Sequence, residues 1–282
     1  MKKKLMAVLV AVGMVVSMAA CGGASSESQT AAPAAETVES SEAEAGELTT
    51  VTPGKLTMST NAAFPPYEMT TDDGKLEGID IEVAGAIAEK LGLELQVDDM
   101  DFDVALLAAQ QGKSDIVMAG VSVTEERQKV MEFSDAYATG VQVIIVKEGS
   151  DIQSVEDLEG KMIGTQRGTT GNLYCTDDYG EDHITSYDNG LTAVQALNNG
   201  QVDCVVIDKE PATAFVGANP GLVILDTEYT SEDYAIGMAK GNTALLDAVN
   251  TALGEGAFRR HYESTGIRTS SQARLYFQGR TC

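Results

Sequence analysis

From about position 55 the chain alternates short apolar runs with stretches in which apolar residues return every three or four positions. The runs at 56–60, 93–97, 115–119, 142–147, 161–165, 203–207, 222–225 and 234–239 are short and rich in β-branched residues, which predicts strands. Between them Val83, Ala84, Ile87, Ala88 and Leu91 fall on one helical face, and Val104, Leu107, Ala108 and Gln111 do the same. Ser154 and Asp157 have the spacing of a capping box for a short helix at 155–159. Leu191, Val194 and Leu197 form a further stripe, closed by Gly200. Such alternation predicts open α/β sheets, and no repeat of solenoid length recurs.

Ahead of position 55 the pattern changes. Lys2, Lys3 and Lys4 precede an unbroken apolar and small run over 5–20, with Ala19 and Ala20 just before Cys21. That run is short for a spanning helix and no basic stop-transfer patch follows, so 1–20 is predicted to be a secretory leader. Met18-Ala19-Ala20-Cys21-Gly22-Gly23 resembles the bacterial lipobox, which implies a lipid on Cys21. An ordinary secretory signal with an incidental cysteine is the alternative. From 22 to 54 the chain is mostly Ala, Ser, Thr, Glu, Pro and Gly, with no aromatic and no basic residue. Such a segment cannot bury a core and is predicted to be a flexible acidic tether.

Composition narrows the function classes. The 282 residues carry a net charge of −24, and Lys2, Lys3 and Lys4 fall in the predicted leader, so the mature chain is more acidic still. A surface of this sign repels phosphate, which argues against nucleic-acid binding. Cysteines stand at 21, 175, 204 and 282, without the close spacing of a zinc site or a redox dithiol. Cys175 and Cys204 could be bridged in an oxidising compartment. Neither His183 nor His261 belongs to a metal or catalytic motif, and no cofactor is implied.

Gly78-Ile79-Asp80-Ile81-Glu82-Val83, followed at helical spacing by Ile87, Ala88 and Leu91, resembles the signature of the bacterial extracellular solute-binding proteins of family 3. The resemblance runs collinearly from about 56 to 253. It implies a two-lobed α/β periplasmic-binding-protein-like fold of type II, with the ligand cleft between the lobes. Lobe 1 would comprise 55–138 and return at 234–267, and lobe 2 would be 139–233. The implied function is capture of a free amino acid for the membrane subunits of an ABC importer. The protein would be a monomer outside the cytoplasm, held to the membrane by a lipid on Cys21.

A free amino acid is a zwitterion, and each charge needs a partner when it leaves water. A carboxylate suits a planar guanidinium, and an ammonium suits a carboxylate with a hydroxyl or carbonyl. The resemblance supplies these in order. Arg127 matches the carboxylate-binding arginine, in a chain whose other arginine before position 259 is Arg167. An internal salt bridge is the competing role for Arg127. Gly120 would offer backbone groups, and Ser122 its hydroxyl, to the ammonium. Asp208 matches the ammonium-binding aspartate, at the carboxyl end of a predicted strand; aspartate is also a good N-cap for a helix at 209–216. Thr170, in Gly168-Thr169-Thr170-Gly171, would meet the carboxylate at a helix start. Phe64 and Phe102 match apolar walls of the cleft. Asn61 stands where relatives selective for cations often carry aspartate, and Gln166 where glutamine-binding relatives make a side-chain contact. Both favour a neutral polar ligand.

Two departures from the family stand at the end. The chain runs from Asn250-Thr251-Ala252-Leu253 straight into Gly254-Glu255-Gly256-Ala257-Phe258, several residues short of the usual last helices. The segment 268–282 matches nothing in the family, and its arginine-rich composition fits a frameshift, a chimeric end or a cloning scar. The same fold also serves cyclohexadienyl dehydratases, so an enzyme is the rival class, and a sensor domain for a signalling partner is a third. The joint presence of Arg127 and Asp208 favours binding over catalysis.

Overall fold

The computed structural model describes residues 48–254, which belong to one compact unit. The expected leader over 1–20, Cys21, the expected tether up to 47, and everything from 255 onward, including His261 and Cys282, lie outside the described residues. No described helix is long and apolar enough to cross a membrane.

Strand β1 (Lys55–Thr60) leads into a small antiparallel sheet of β2 (Ala63–Phe64), β3 (Glu68–Thr70) and β4 (Leu76–Glu77), and then into α1 (Ile79–Leu91). Next come β5 (Glu94–Asp99), α2 (Phe102–Gln110), β6 (Ile116–Val117), α3 (Glu125–Val130) and β7 (Met131–Phe133). The long β8 (Ala138–Lys147) is followed by a 3-10 turn at Val155–Leu158, β9 (Ile163–Gln166) and α4 (Thr170–Tyr179). Then follow β10 (Ile184–Tyr187), α5 (Gly190–Asn198), β11 (Cys204–Asp208) and α6 (Lys209–Ala218). Finally β12 (Leu222–Tyr234) returns, with β13 (Gly237–Ala239) and α7 (Thr243–Gly254) after it.

These strands build two five-stranded sheets, in the orders β5-β1-β6-β13-β7 and β10-β9-β11-β8-β12. In the first, β1 is parallel to both β5 and β6 while β13 is antiparallel. In the second, β9, β10 and β11 are parallel, β8 runs against them, and β12 pairs antiparallel with β8 at the edge. Strands β8 and β12 pair from Leu222↔Lys147 to Tyr234↔Ala138, with the register shifting between Ile224 and Thr230, so two strands cross together from one half to the other. A lone bridge between Ser122 and Tyr234 fastens the first half to the end of β12.

Period-two alternation divides the core between the faces of each sheet. Ile116 packs with Leu56, Met58, Val83 and Ile87, whereas Val117 packs with Phe102, Ala105 and Met131 on the other side. In the second sheet Ile145 joins Val194, Leu197 and Phe215, while Ile144 joins Ile152, Leu158 and Val206. Cys175 and Cys204 lie in this last cluster as buried free thiols, so the bridge that their compartment would permit is not made. Burial pushes both thiols up to about 12, which keeps them protonated and inert.

Four expectations need correction. Helix α2 does not bury Val104 and Leu107, which are exposed; its inner face is Phe102, Ala105, Ala108 and Ala109. Small residues win that face because the helix lies close to β1, near enough for Ser59 Oγ to donate to Ala105 O at 2.9 Å. Leu191 is likewise exposed, while Val194 and Leu197 are buried as expected. The strand expected at 222–225 continues to Tyr234, because β8 supplies backbone partners to a polar segment that no apolar run marks. The chain also joins the fold before 55: Val51 N donates to the buried Asp115 carboxylate at 2.7 Å.

Candidate functional site

Ligands of open α/β sheets gather at the carboxyl ends of parallel strands, where the loops diverge. Here Asn61 follows the end of β1, Gly120 and Ser122 lie in the segment after β6, β9 ends in Gln166, and β11 ends in Asp208. Helix starts contribute Phe102 and Thr170, helix α3 contributes Arg127, and β2 contributes Phe64. All nine residues expected to meet a ligand line one narrow cleft. Glu68 and Thr169 line it as well.

Arg127 is buried, with Nη1 donating to Ser122 O at 2.8 Å and Nη2 to Gly168 O at 3.2 Å. Its guanidinium lies over the Phe102 ring, 5.5 Å from the centroid, which fixes the plane of the fork. Among the described residues it makes no ion pair, so the salt-bridge role is not what holds it. Burial lowers its pKa, an effect opposed by Glu232, Tyr174 and Asp208.

Asp208 occupies the N-cap position of α6 but makes no side-chain cap, so the capping role is not the one it fills. Its carboxylate turns into the cleft and accepts a short hydrogen bond from Tyr234 Oη. Burial raises its pKa to about 7; Tyr234 and Gln142 pull the other way, while Glu232 and Glu210 add to the rise. A buried carboxyl in this position gives up its proton more readily when a cation stands beside it.

The remaining groups are oriented by named partners. Gly120 adopts φ 55, and a Cβ there would come within 2.7 Å of the Phe64 ring, so glycine is required for the ring to close over the cleft. The N–H of Gly120 donates to Asp80, which leaves its carbonyl to offer an ammonium. Thr169 caps α4 by accepting from Asn172 N, and the Thr170 hydroxyl donates to Glu232 Oε2 at 2.6 Å. Ser122 Oγ reaches the same oxygen at 3.2 Å. Across the cleft, Gln166 Nε2 donates to Asn61 Oδ1 at 2.9 Å.

Two residues escaped the sequence reading. Glu232 gathers hydroxyls from Thr170, Ser122 and Tyr174 at the end of β12, and it sits in a polar run that no pattern singles out. Glu68 follows the Phe64-Pro65-Pro66-Tyr67 stretch and looks like a surface acid, yet it is fully buried against the cleft. No group of three or more His, Cys, Asp or Glu suited to a metal occurs among the described residues.

Residues 56–259 match the bacterial extracellular solute-binding proteins, family 3. Over 261 residues the chain is 31% identical to a probable histidine-binding protein of Neisseria gonorrhoeae, covering 90% of each. It is 30% identical over 204 residues to ABC transporter arginine-binding protein 1 of Escherichia coli K12, covering 71% of this chain and 84% of that one. Among solved structures it is similar to an ancestral arginine-binding protein bound to glutamine, with TM-score 0.71 and 41% identity, over 76% of this chain and 98% of that one. The fold is thus the two-lobed α/β fold of amino-acid-binding proteins, and these relatives are receptors for transporters rather than enzymes. An amino-acid-binding protein of ABC-transporter type that works outside the cytoplasm, this chain belongs to family 3 of the bacterial extracellular solute-binding proteins.

Proposed function

We infer that the chain clamps a free polar amino acid in this cleft and delivers it to the membrane subunits of an ABC importer, as a monomer tethered through a lipid on Cys21. One observation carries the reading: a buried guanidinium and a buried carboxyl, Arg127 and Asp208, line the same space without pairing with each other. That is the charge pattern of a zwitterion with the signs reversed. The lobes would be 55–138 with 234–267, and 139–233, so Arg127 and Ser122 act from one side and Thr170 and Asp208 from the other.

For the side chain of the ligand, Asn61 and Gln166 support a neutral polar group, as their sequence positions suggested. Glu68 adds a buried acid to the same wall and widens the class to any side chain bearing N–H donors, amide or cation. A thermal-shift screen of the twenty amino acids tests the reading, since a ligand at 100 times its dissociation constant stabilises by roughly 2.7 kcal/mol. Arg127→Lys should weaken the responding ligand by about 2–5 kcal/mol, because a point charge cannot replace the fork. A flat screen would sink the function; an unweakened Arg127→Lys would sink the role given to that residue.

A further inference from the structure

Glu68 is 0% exposed, lines the cleft, and offers neither carboxylate oxygen to any donor among the described residues. It lies within hydrogen-bonding reach of Asp80 on α1. Asp80 is equally buried; its Oδ2 accepts from Tyr137 Oη at 2.8 Å and Gly120 N at 3.1 Å, while Oδ1 also meets no donor. Two facing carboxyl groups with unmet oxygens are satisfied by one proton held between them, since two bare charges there would repel without compensation. The charged neighbours that act most on Glu68 are all acids: Asp80 on α1, Asp208 ending β11, and Asp99 ending β5. Burial raises Glu68 well above the usual carboxylate range, and it raises Asp80 to about 6.

We propose that the Glu68–Asp80 pair is a proton-holding end wall that takes either of two ligand classes. With two protons the pair is neutral and donates one of them in a hydrogen bond to an uncharged amide side chain; with one proton, shared between the two carboxyls, it carries a single negative charge and pairs with a cationic side chain, guanidinium, ammonium or imidazolium, the other proton having gone to solvent. The alternatives are costly, because a cation against the neutral, doubly protonated pair, or an amide against the singly charged pair, leaves a buried charge without a partner. This rests on the amino-acid-binding reading above and adds to it a selectivity set by pH. Asp208 complicates a simple proton count, since any amino acid brings an ammonium that ionises it. That contribution is common to both ligand classes, so the difference between them isolates the end wall.

Titration calorimetry on the full chain, in two buffers of different ionisation enthalpy, with L-arginine and L-glutamine as probes, reads that difference directly. Arginine should release one proton more than glutamine, and its affinity relative to glutamine should rise about tenfold per pH unit below the pKa of the pair. Glu68→Gln should make the two proton counts equal; the wild-type comparison stands even if that variant does not fold. Equal release in the wild type, or a difference that survives in Glu68→Gln, overturns the proposal. So does binding confined to one class, with L-arginine, L-lysine and L-histidine as the cationic set and uncharged amino acids as the other, though the importer reading then stands. If no amino acid binds at all, both fall.

Discussion

Asp208 shows how a single carboxyl is tuned by what surrounds it. Burial favours its neutral form, Tyr234 and Gln142 favour the anion, and the balance leaves it near pKa 7 rather than near the usual value of 3.8. The folded protein therefore binds a proton here that the unfolded chain has already lost, over the window from about pH 4 to about pH 7. Stability from this group falls as pH rises through that window and is lowest above it. Asp208→Asn cannot ionise and escapes this loss. In unfolding experiments without ligand, the stability of Asp208→Asn relative to wild type should therefore increase from pH 5 to pH 8. A gap that does not change with pH would mean that the carboxyl is not held neutral. The common place of Arg127, Thr170 and Asp208 in one cleft was legible in the sequence because the family motifs mark their positions. Glu68 and Glu232 were not, because only burial distinguishes an acid in a cleft from an acid in water.

At the scale of elements, α1 shows why its entry is so constrained. The helix has no side-chain cap at Gly78; Ile79 N donates instead to Pro66 O at 3.1 Å and Asp80 N to Tyr67 O at 2.8 Å, which meets two of the orphan donors of the first turn. This seats Asp80 beside Glu68. Gly78 has φ 129, and a Cβ there would overlap the Tyr67 carbonyl. Gly78→Ala is expected to cost about 1–3 kcal/mol of backbone strain alone, measurable by denaturant unfolding, and to loosen the seat of Asp80. A variant as stable as wild type would show that the turn has another conformation open to it. Helix α1 itself was predicted correctly because its apolar stripe is long and meets one deep core. The stripe assigned to α2 failed because alanines, not the larger residues, face a sheet so close to the helix axis. Strand β12 was missed beyond Leu225 because its ladder partner, not its own hydrophobicity, makes it a strand.

The whole molecule must close and reopen, and the cleft already has direct bonds between residues assigned to opposite lobes. Gln166 reaches Asn61, Arg127 reaches the carbonyl of Gly168, and Ser122 reaches Glu232 at the crossing strand. In the proposed reading, the amino acid adds its own contacts to this set. A ligand shifts the balance only by what it gains in the closed state beyond the open one. In the proposed reading the carboxylate would meet Arg127 on lobe 1 in either state, so the gain would come from Thr170 and Asp208 on the proposed lobe 2. Asp208→Asn keeps the side-chain size and removes the charge that meets the ammonium, so it should bind weakly through lobe 1 yet close far less completely. Fluorophores at the exposed positions Glu89 and Asp182, one on each proposed lobe, would report the change in separation. Wild type should show a ligand-dependent approach, and Asp208→Asn little at equal occupancy. Normal closure of Asp208→Asn at saturation would mean that the ammonium does not drive the lobes together, and that the crossing-strand contacts of Glu232 set the closed state instead.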